Sequence, residues 1–172
     1  MEKELFYVKL VGWIFDTKTR KILLGKNKGE EKYSLLEGDL NQDQELDNVL
    51  KTTITKKTGY KCHNLGAIYV ENKLQDNTKL KVHFLCEIAD GELTPGENVE
   101  ELIWVQPKDV EEKIGVELPT RLQDTLGNLQ GTTCGNHCEC EDGDCDCEYN
   151  SKLQNYINLN PNLKINLNDL SN

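Results

Sequence analysis

The sequence lacks the excess of positive charge that a general polyanion binder needs. Lys and Arg total 20 against 30 Asp and Glu, a formal charge of -10. Affinity for nucleic-acid phosphates or anionic membrane surfaces is driven by clustered Lys and Arg, so neither partner is expected. Long apolar runs are missing as well. No stretch approaches the roughly 18 apolar residues of a membrane span. The opening MEKELFYVKL places acidic residues where a secretory signal would carry a basic segment followed by an apolar run. A cytoplasmic protein is the expectation. No repeat of solenoid length is visible, and 172 residues allow one main core with a smaller appendage.

Cysteine, by contrast, is abundant and unevenly placed. Five of the seven cysteines fall between residues 134 and 147. In a reducing compartment such crowding points to metal binding before a disulfide framework. Composition changes after Gly127, which divides the chain into a main domain over 1–127, a cysteine-rich segment over 128–150 and an Asn-rich tail over 151–172. The tail alternates apolar and polar residues in Ile157-Asn-Leu-Asn and Lys164-Ile-Asn-Leu-Asn, a pattern suited either to an added edge strand or to a poorly ordered end.

Within the main domain, β-branched, aromatic and apolar residues dominate Phe6 to Phe15. Asp16-Thr-Lys-Thr supplies a turn and Lys21-Ile-Leu-Leu24 resumes the pattern, which predicts a hairpin. Tyr33-Ser-Leu-Leu36 reads as a short strand leading into Glu37-Gly38. A helix follows, because Leu46, Val49, Leu50 and Ile54 recur at spacings of three and four. Asn41 and Gln44 stand in capping-box relation upstream of it, and Gly59 suits its C-terminal cap. Gly66-Ala-Ile-Tyr-Val70 and Leu80 to Cys86 predict a second hairpin with one buried face. Leu102-Ile-Trp-Val105 is a further strand, Pro107 suits the first turn of a helix, and Glu117 to Leu126 reads as another short helix. These elements make an α+β or layered α/β/α domain. Trp13, Trp104, Cys62 and Cys86 belong to the core of that domain, and His63 and His83 are read as structural histidines.

The order of these elements, with Tyr33-Ser-Leu-Leu-Glu-Gly38, Thr58-Gly-Tyr60 and Pro95-Gly-Glu-Asn-Val-Glu-Glu-Leu-Ile-Trp-Val105, resembles the Nudix fold over roughly residues 6 to 127. The resemblance implies an α/β/α sandwich with a mixed sheet. The family signature is G-x5-E-x7-R-E-U-x-E-E-x-G-U, where U is bulky and apolar. Gly38 and Gly59 match its glycines, Ile54 and Tyr60 its apolar positions, and Thr58 a threonine common before the second glycine. The chemistry-bearing positions differ. Gln44 replaces the first glutamate, Thr52 the arginine, Thr53 the next glutamate, and Lys56 and Lys57 the final glutamate pair.

In the family those glutamates hold divalent cations that clamp a diphosphate and activate water, a task for hard anionic oxygens. Lysine has three donors and no acceptor, so the substitutions argue against Mg2+ or Mn2+ at this box and against the usual hydrolysis. Gly38, Thr53, Lys56 and Lys57 remain candidates for direct phosphate or nucleotide binding. Thr53, Lys56 and Lys57 share one helix face, and lysine can serve as a point charge for phosphate. The ligand implied is a nucleoside diphosphate-type small molecule. A scaffold for a protein partner, with the lysines as solvated surface, is the leading alternative role. Hydrolysis survives as a further alternative if Glu37, Asp39, Asp43, Glu45, Glu97, Glu100 or Glu101 supplies metal ligands from outside the box.

The cysteine segment is nearly palindromic: Cys138-Glu-Cys140, then Glu-Asp-Gly-Asp, then Cys145-Asp-Cys147. With Asp142-Gly143 as a two-residue turn, Cys140 faces Cys145 and Cys138 faces Cys147, with all four sulfurs on one side. The same register opposes Glu139 to Asp146 and Glu141 to Asp144, like-charge pairs that disfavour an empty hairpin. Four thiolates suit a tetrahedral zinc ion, with Cys134 or His137 as an additional or replacement ligand. Copper(I) and iron-sulfur clusters take the same sulfur donors, and cross-strand disulfides or a flexible thiol-rich segment are the readings without metal.

Overall fold

The computed structural model describes residues 7–73 and 79–130. Its centre is strand β1 (Tyr7–Asp16), joined to β2 (Lys21–Asn27) by a tight turn. Asp16 organises that turn, its carboxylate accepting from the Lys18 backbone N–H at 3.0 Å and from the Thr19 hydroxyl at 2.7 Å. The hairpin is paired only at its closed end, Phe15 with Ile22 and Asp16 with Lys21. Further back, the same side of β1 is occupied by β3 (Leu36–Leu40), from Val8 opposite Leu40 to Gly12 opposite Leu36.

Strands β4 (Tyr60–Lys73) and β5 (Lys79–Gly91) form the second hairpin, and β5 runs parallel to β1 from Tyr7–Lys79 to Phe15–Glu87. Strand β6 (Val99–Val105) pairs antiparallel with β2. The six-stranded sheet thus has the order β4-β5-β1-β2-β6, with β3 on β1, and is mixed as expected.

Helix α1 (Leu46–Thr58) covers one face, where it packs with Leu10, Ile14, Leu23, Leu36, Phe84 and Cys86. On the other face a 3-10 turn (Pro107–Asp109), α2 (Val110–Ile114) and α3 (Thr120–Gln130) cover Val11, Trp13, Phe15, Ile22, Leu24 and Leu85. Central strands buried on both sides read as unbroken apolar runs. That is why β1 shows no alternation.

Several boundaries differ from the sequence reading. Tyr33 to Leu35 is not a strand: Ser34 makes only an isolated bridge to Gly25, and pairing begins at Leu36 and continues through Gly38. Strand β5 is buried on both faces, Phe84 and Cys86 toward α1 and Leu85 toward α3, because helices lie on both sides of it. Helix α3 starts three residues later than Glu117, after Pro119, and continues to Gln130. Its last turn passes the expected boundary at 127, with Leu129 still in the core.

Candidate functional site

The site predicted from the sequence is the β3–α1 connection. Asn41 and Gln44 form half of the expected box, since the Asn41 backbone N–H donates to Gln44 Oε1 at 3.3 Å. The N-terminal cap itself is Glu45, whose carboxylate accepts from the Asp47 and Asn48 backbone N–H groups at 3.3 and 3.1 Å. At the other end Gly59 takes the left-handed conformation, φ 78°, expected of a helix-terminating glycine. Thr58 is wholly buried. Its hydroxyl donates to the Ile54 carbonyl at 2.7 Å and accepts from the Tyr60 backbone N–H at 3.1 Å.

The helix's last carbonyls are satisfied by the loop between β5 and β6. Thr94, Gly96 and Glu97 donate backbone N–H groups to the carbonyls of Thr58, Lys57 and Lys56 at 2.8, 3.0 and 3.1 Å. Gly96 lies so close that an added Cβ would fall on the Lys56 carbonyl oxygen. A side chain at Gly38 would likewise collide with Thr53. Gly38 and Thr53 are therefore brought into close contact.

Thr53 and Lys56 line an open groove of about 420 Å3 along α1, together with Asp39, Asn41, Gln44, Asn48 and Thr52. Lys57 does not line it. Its ammonium instead donates to the Glu37 backbone carbonyl at 2.8 Å. The Glu37 carboxylate accepts from Lys81 at 2.9 Å and Lys9 at 3.2 Å. Burial raises the pKa of this carboxyl, but the hydrogen bonds and charges of Lys81 and Lys9 outweigh it and hold the group below the usual carboxylate range. Three ammonium groups from β1, α1 and β5 therefore converge on one residue of β3.

Four of the seven carboxylates expected from outside the box are engaged elsewhere, while Asp39 lines the groove. Glu37 is held by lysines and Glu45 caps the helix. Glu101 accepts from the Tyr33 hydroxyl at 2.7 Å and shares Lys26 with Glu100. Among the described residues no three His, Cys, Asp or Glu side chains converge on a metal position. The donor set at the box, an amide, a hydroxyl and two ammonium groups, does not fit Mg2+ or Mn2+.

His83 has partners that the linear sequence hid. It is buried, the Trp13 indole N–H donates to its Nδ1 at 3.0 Å, and its Nε2 faces Glu71 Oε2 at 3.4 Å. The Trp13 donor leaves Nδ1 as the acceptor, so the neutral ring carries its proton on Nε2 toward Glu71. Burial lowers the His83 pKa, opposed by Glu71. The β4–β5 register sets His83 opposite Tyr69, a pairing visible only in the structure. Cys62 and Cys86 are buried free thiols, each pushed up to about 12 chiefly by burial, as small apolar core residues would be. Cys134, His137, Cys138, Cys140, Cys145 and Cys147 lie outside the described residues.

No protein-family model matches the sequence, and no curated protein matches it. Solved structures match by fold. A UDP-X diphosphatase is 18% identical with a TM-score of 0.61, over 75% of this chain and 64% of its own, so this chain spans less than two thirds of its length. An ADP-ribose pyrophosphatase from Streptococcus suis is 18% identical with a TM-score of 0.58, over 74% of this chain and 94% of its own. A NUDIX-family hydrolase from Clostridium perfringens is 11% identical with a TM-score of 0.55, over 72% and 93%. At such identities the likeness is one of fold. This chain contains a Nudix-fold domain.

Proposed function

We propose that this Nudix-fold protein is a binding or regulatory module for a nucleoside diphosphate-type ligand, without the metal-dependent hydrolysis usual for the fold. One observation carries the reading. The positions that need carboxylates hold Gln44, Thr53, Lys56 and Lys57, and these side chains occupy a groove and a lysine cluster rather than a metal site. The likeness to a UDP-X diphosphatase and an ADP-ribose pyrophosphatase supports the ligand class. Hydroxyl and ammonium donors around Gly38 supply hydrogen bonds and point charges that suit phosphate oxygens.

The test is a panel of nucleoside diphosphate compounds, including ADP-ribose and NADH, assayed for product release with Mg2+ or Mn2+ against EDTA, and in parallel for binding by calorimetry. The expected result is no turnover and measurable binding. Turnover that EDTA abolishes would instead favour the hydrolase reading, with Asp39, which lines the groove together with the helix-capping Glu45, as the first ligand to replace.

We propose separately that Cys138, Cys140, Cys145 and Cys147, with Cys134 or His137, bind zinc or another thiophilic metal in a reducing, cytoplasmic setting. Five cysteines within residues 134 to 147 support this. Metal analysis of the purified full chain should give about one equivalent, lost when the four paired cysteines become Ser. Retention of metal in that variant would assign it elsewhere.

A further inference from the structure

A divalent cation at the box would neutralise phosphate charge. Lys57 brings positive charge to the same place. It stands at a position where the Nudix signature has glutamate, and its ammonium is fixed on the carbonyl oxygen of Glu37, the residue preceding Gly38. One of its three N–H donors is used there, which leaves two for a ligand. The fixing is itself supported, because the Glu37 carboxylate is held by Lys9 and Lys81.

We infer that the Lys57 ammonium takes the cation's role, so that the ligand is a diphosphate free of divalent metal and Mg2+ antagonises its binding. This rests on the binding reading above. The electrostatics favour it. A doubly charged ion entering beside Lys9, Lys57 and Lys81 meets three like charges against two carboxylates, Glu37 and Asp39, the latter opposite Lys9 across the β1–β3 pairing. A diphosphate complexed with Mg2+ has lost most of the charge that would draw it to Lys57, whereas the free anion keeps it. Lys9 and Lys81 act as positioning residues, and Lys57 as the contact residue. Diphosphates esterified at both ends hold Mg2+ weakly for lack of a terminal phosphate, so they are the class most available to such a site.

The experiment is calorimetric titration of the full, metal-replete chain with inorganic pyrophosphate and with ADP-ribose, in EDTA and again in excess Mg2+. Binding is expected in EDTA, with pyrophosphate affinity falling about tenfold or more in Mg2+ and ADP-ribose affinity changing less. Lys57→Gln should weaken both ligands by about tenfold or more at an unchanged melting temperature. Affinity that rises with Mg2+, or a folded Lys57→Gln protein that binds normally, overturns the inference and leaves the binding reading standing. Absence of binding in either buffer removes the binding reading and this inference together. If Lys57→Gln does not fold, the Mg2+ comparison on the unaltered protein decides alone.

Discussion

Helix α1 has two sides with different histories written on them. The side facing the sheet keeps the Nudix pattern: Leu50, Ile54 and Thr58 are buried one turn apart, and Gly59 closes the helix. The positions where the signature has glutamates carry none: Gln44 stands just before the helix, and Thr53, Lys56 and Lys57 lie on its other side. The first side answers to packing, where a lost methylene or an unsatisfied hydroxyl is felt by every neighbour. The second is less constrained by packing, with Lys56 exposed on the groove, although Thr53 still abuts Gly38. Core packing and groove chemistry are thus carried by interleaved residues of one helix.

The sharpest way to break the comparison is at the packed side. Ile54→Ala removes a side chain that is 1% exposed and abuts Gly12, and should destabilise by about 2–5 kcal/mol in chemical denaturation. A loss under about 1 kcal/mol would mean that α1 is not anchored as described. Thr58→Val keeps the shape but strands the Tyr60 N–H that the hydroxyl serves, for an expected loss of about 1–3 kcal/mol.

At the seam between the two sides the expected effect is smaller and depends on pH. Lysines depress the Glu37 pKa, so its contribution is present above the unfolded-state value near 4.5 and is lost as pH falls through the lower folded value. Since the group is partly exposed, that contribution is at most about 1 kcal/mol. Glu37→Gln should flatten this portion of a plot of stability against pH; an unaltered acid limb would show that the Lys9 and Lys81 contacts contribute nothing.

The groove positions Gln44 and Lys56 should change stability least. Gln44→Glu and Lys56→Glu should each shift stability by only about 0.5 kcal/mol, whereas Thr53→Glu, packed on Gly38, and Lys57→Glu, which loses its bond to the Glu37 carbonyl, should cost about 1 kcal/mol or more each; the four combined restore the signature's acids. The same protein should gain Mn2+ binding in calorimetry relative to the unaltered protein. A quadruple variant that unfolds would show that the two sides cannot be separated.

Much of this architecture was legible beforehand because it is written locally. Spacings of three and four marked α1, and the two-glycine frame located its terminating cap. Harder to read were boundaries set by neighbours. Tyr33 to Leu35 has strand-like residues, but pairing waits for Leu36 because β1 offers its free edge only from Gly12 backwards. The one-sided reading of β5 failed for a similar reason, since its alternation was judged without knowing that helices cover both faces.

The sequence alone determined that residues 44, 53, 56 and 57 are not carboxylates, that the helix ends at a glycine, and that cysteines concentrate past the main domain. Each follows from residue identity or from spacings within a few turns. Only the tertiary structure decided what these residues touch. Lys9, Lys57 and Lys81 reach Glu37 across separations of 28, 20 and 44 residues, and Trp13 reaches His83 across 70. Such meetings are fixed by strand register and by the placement of α1 on the sheet, which no local pattern encodes, because they depend on how the whole core closes.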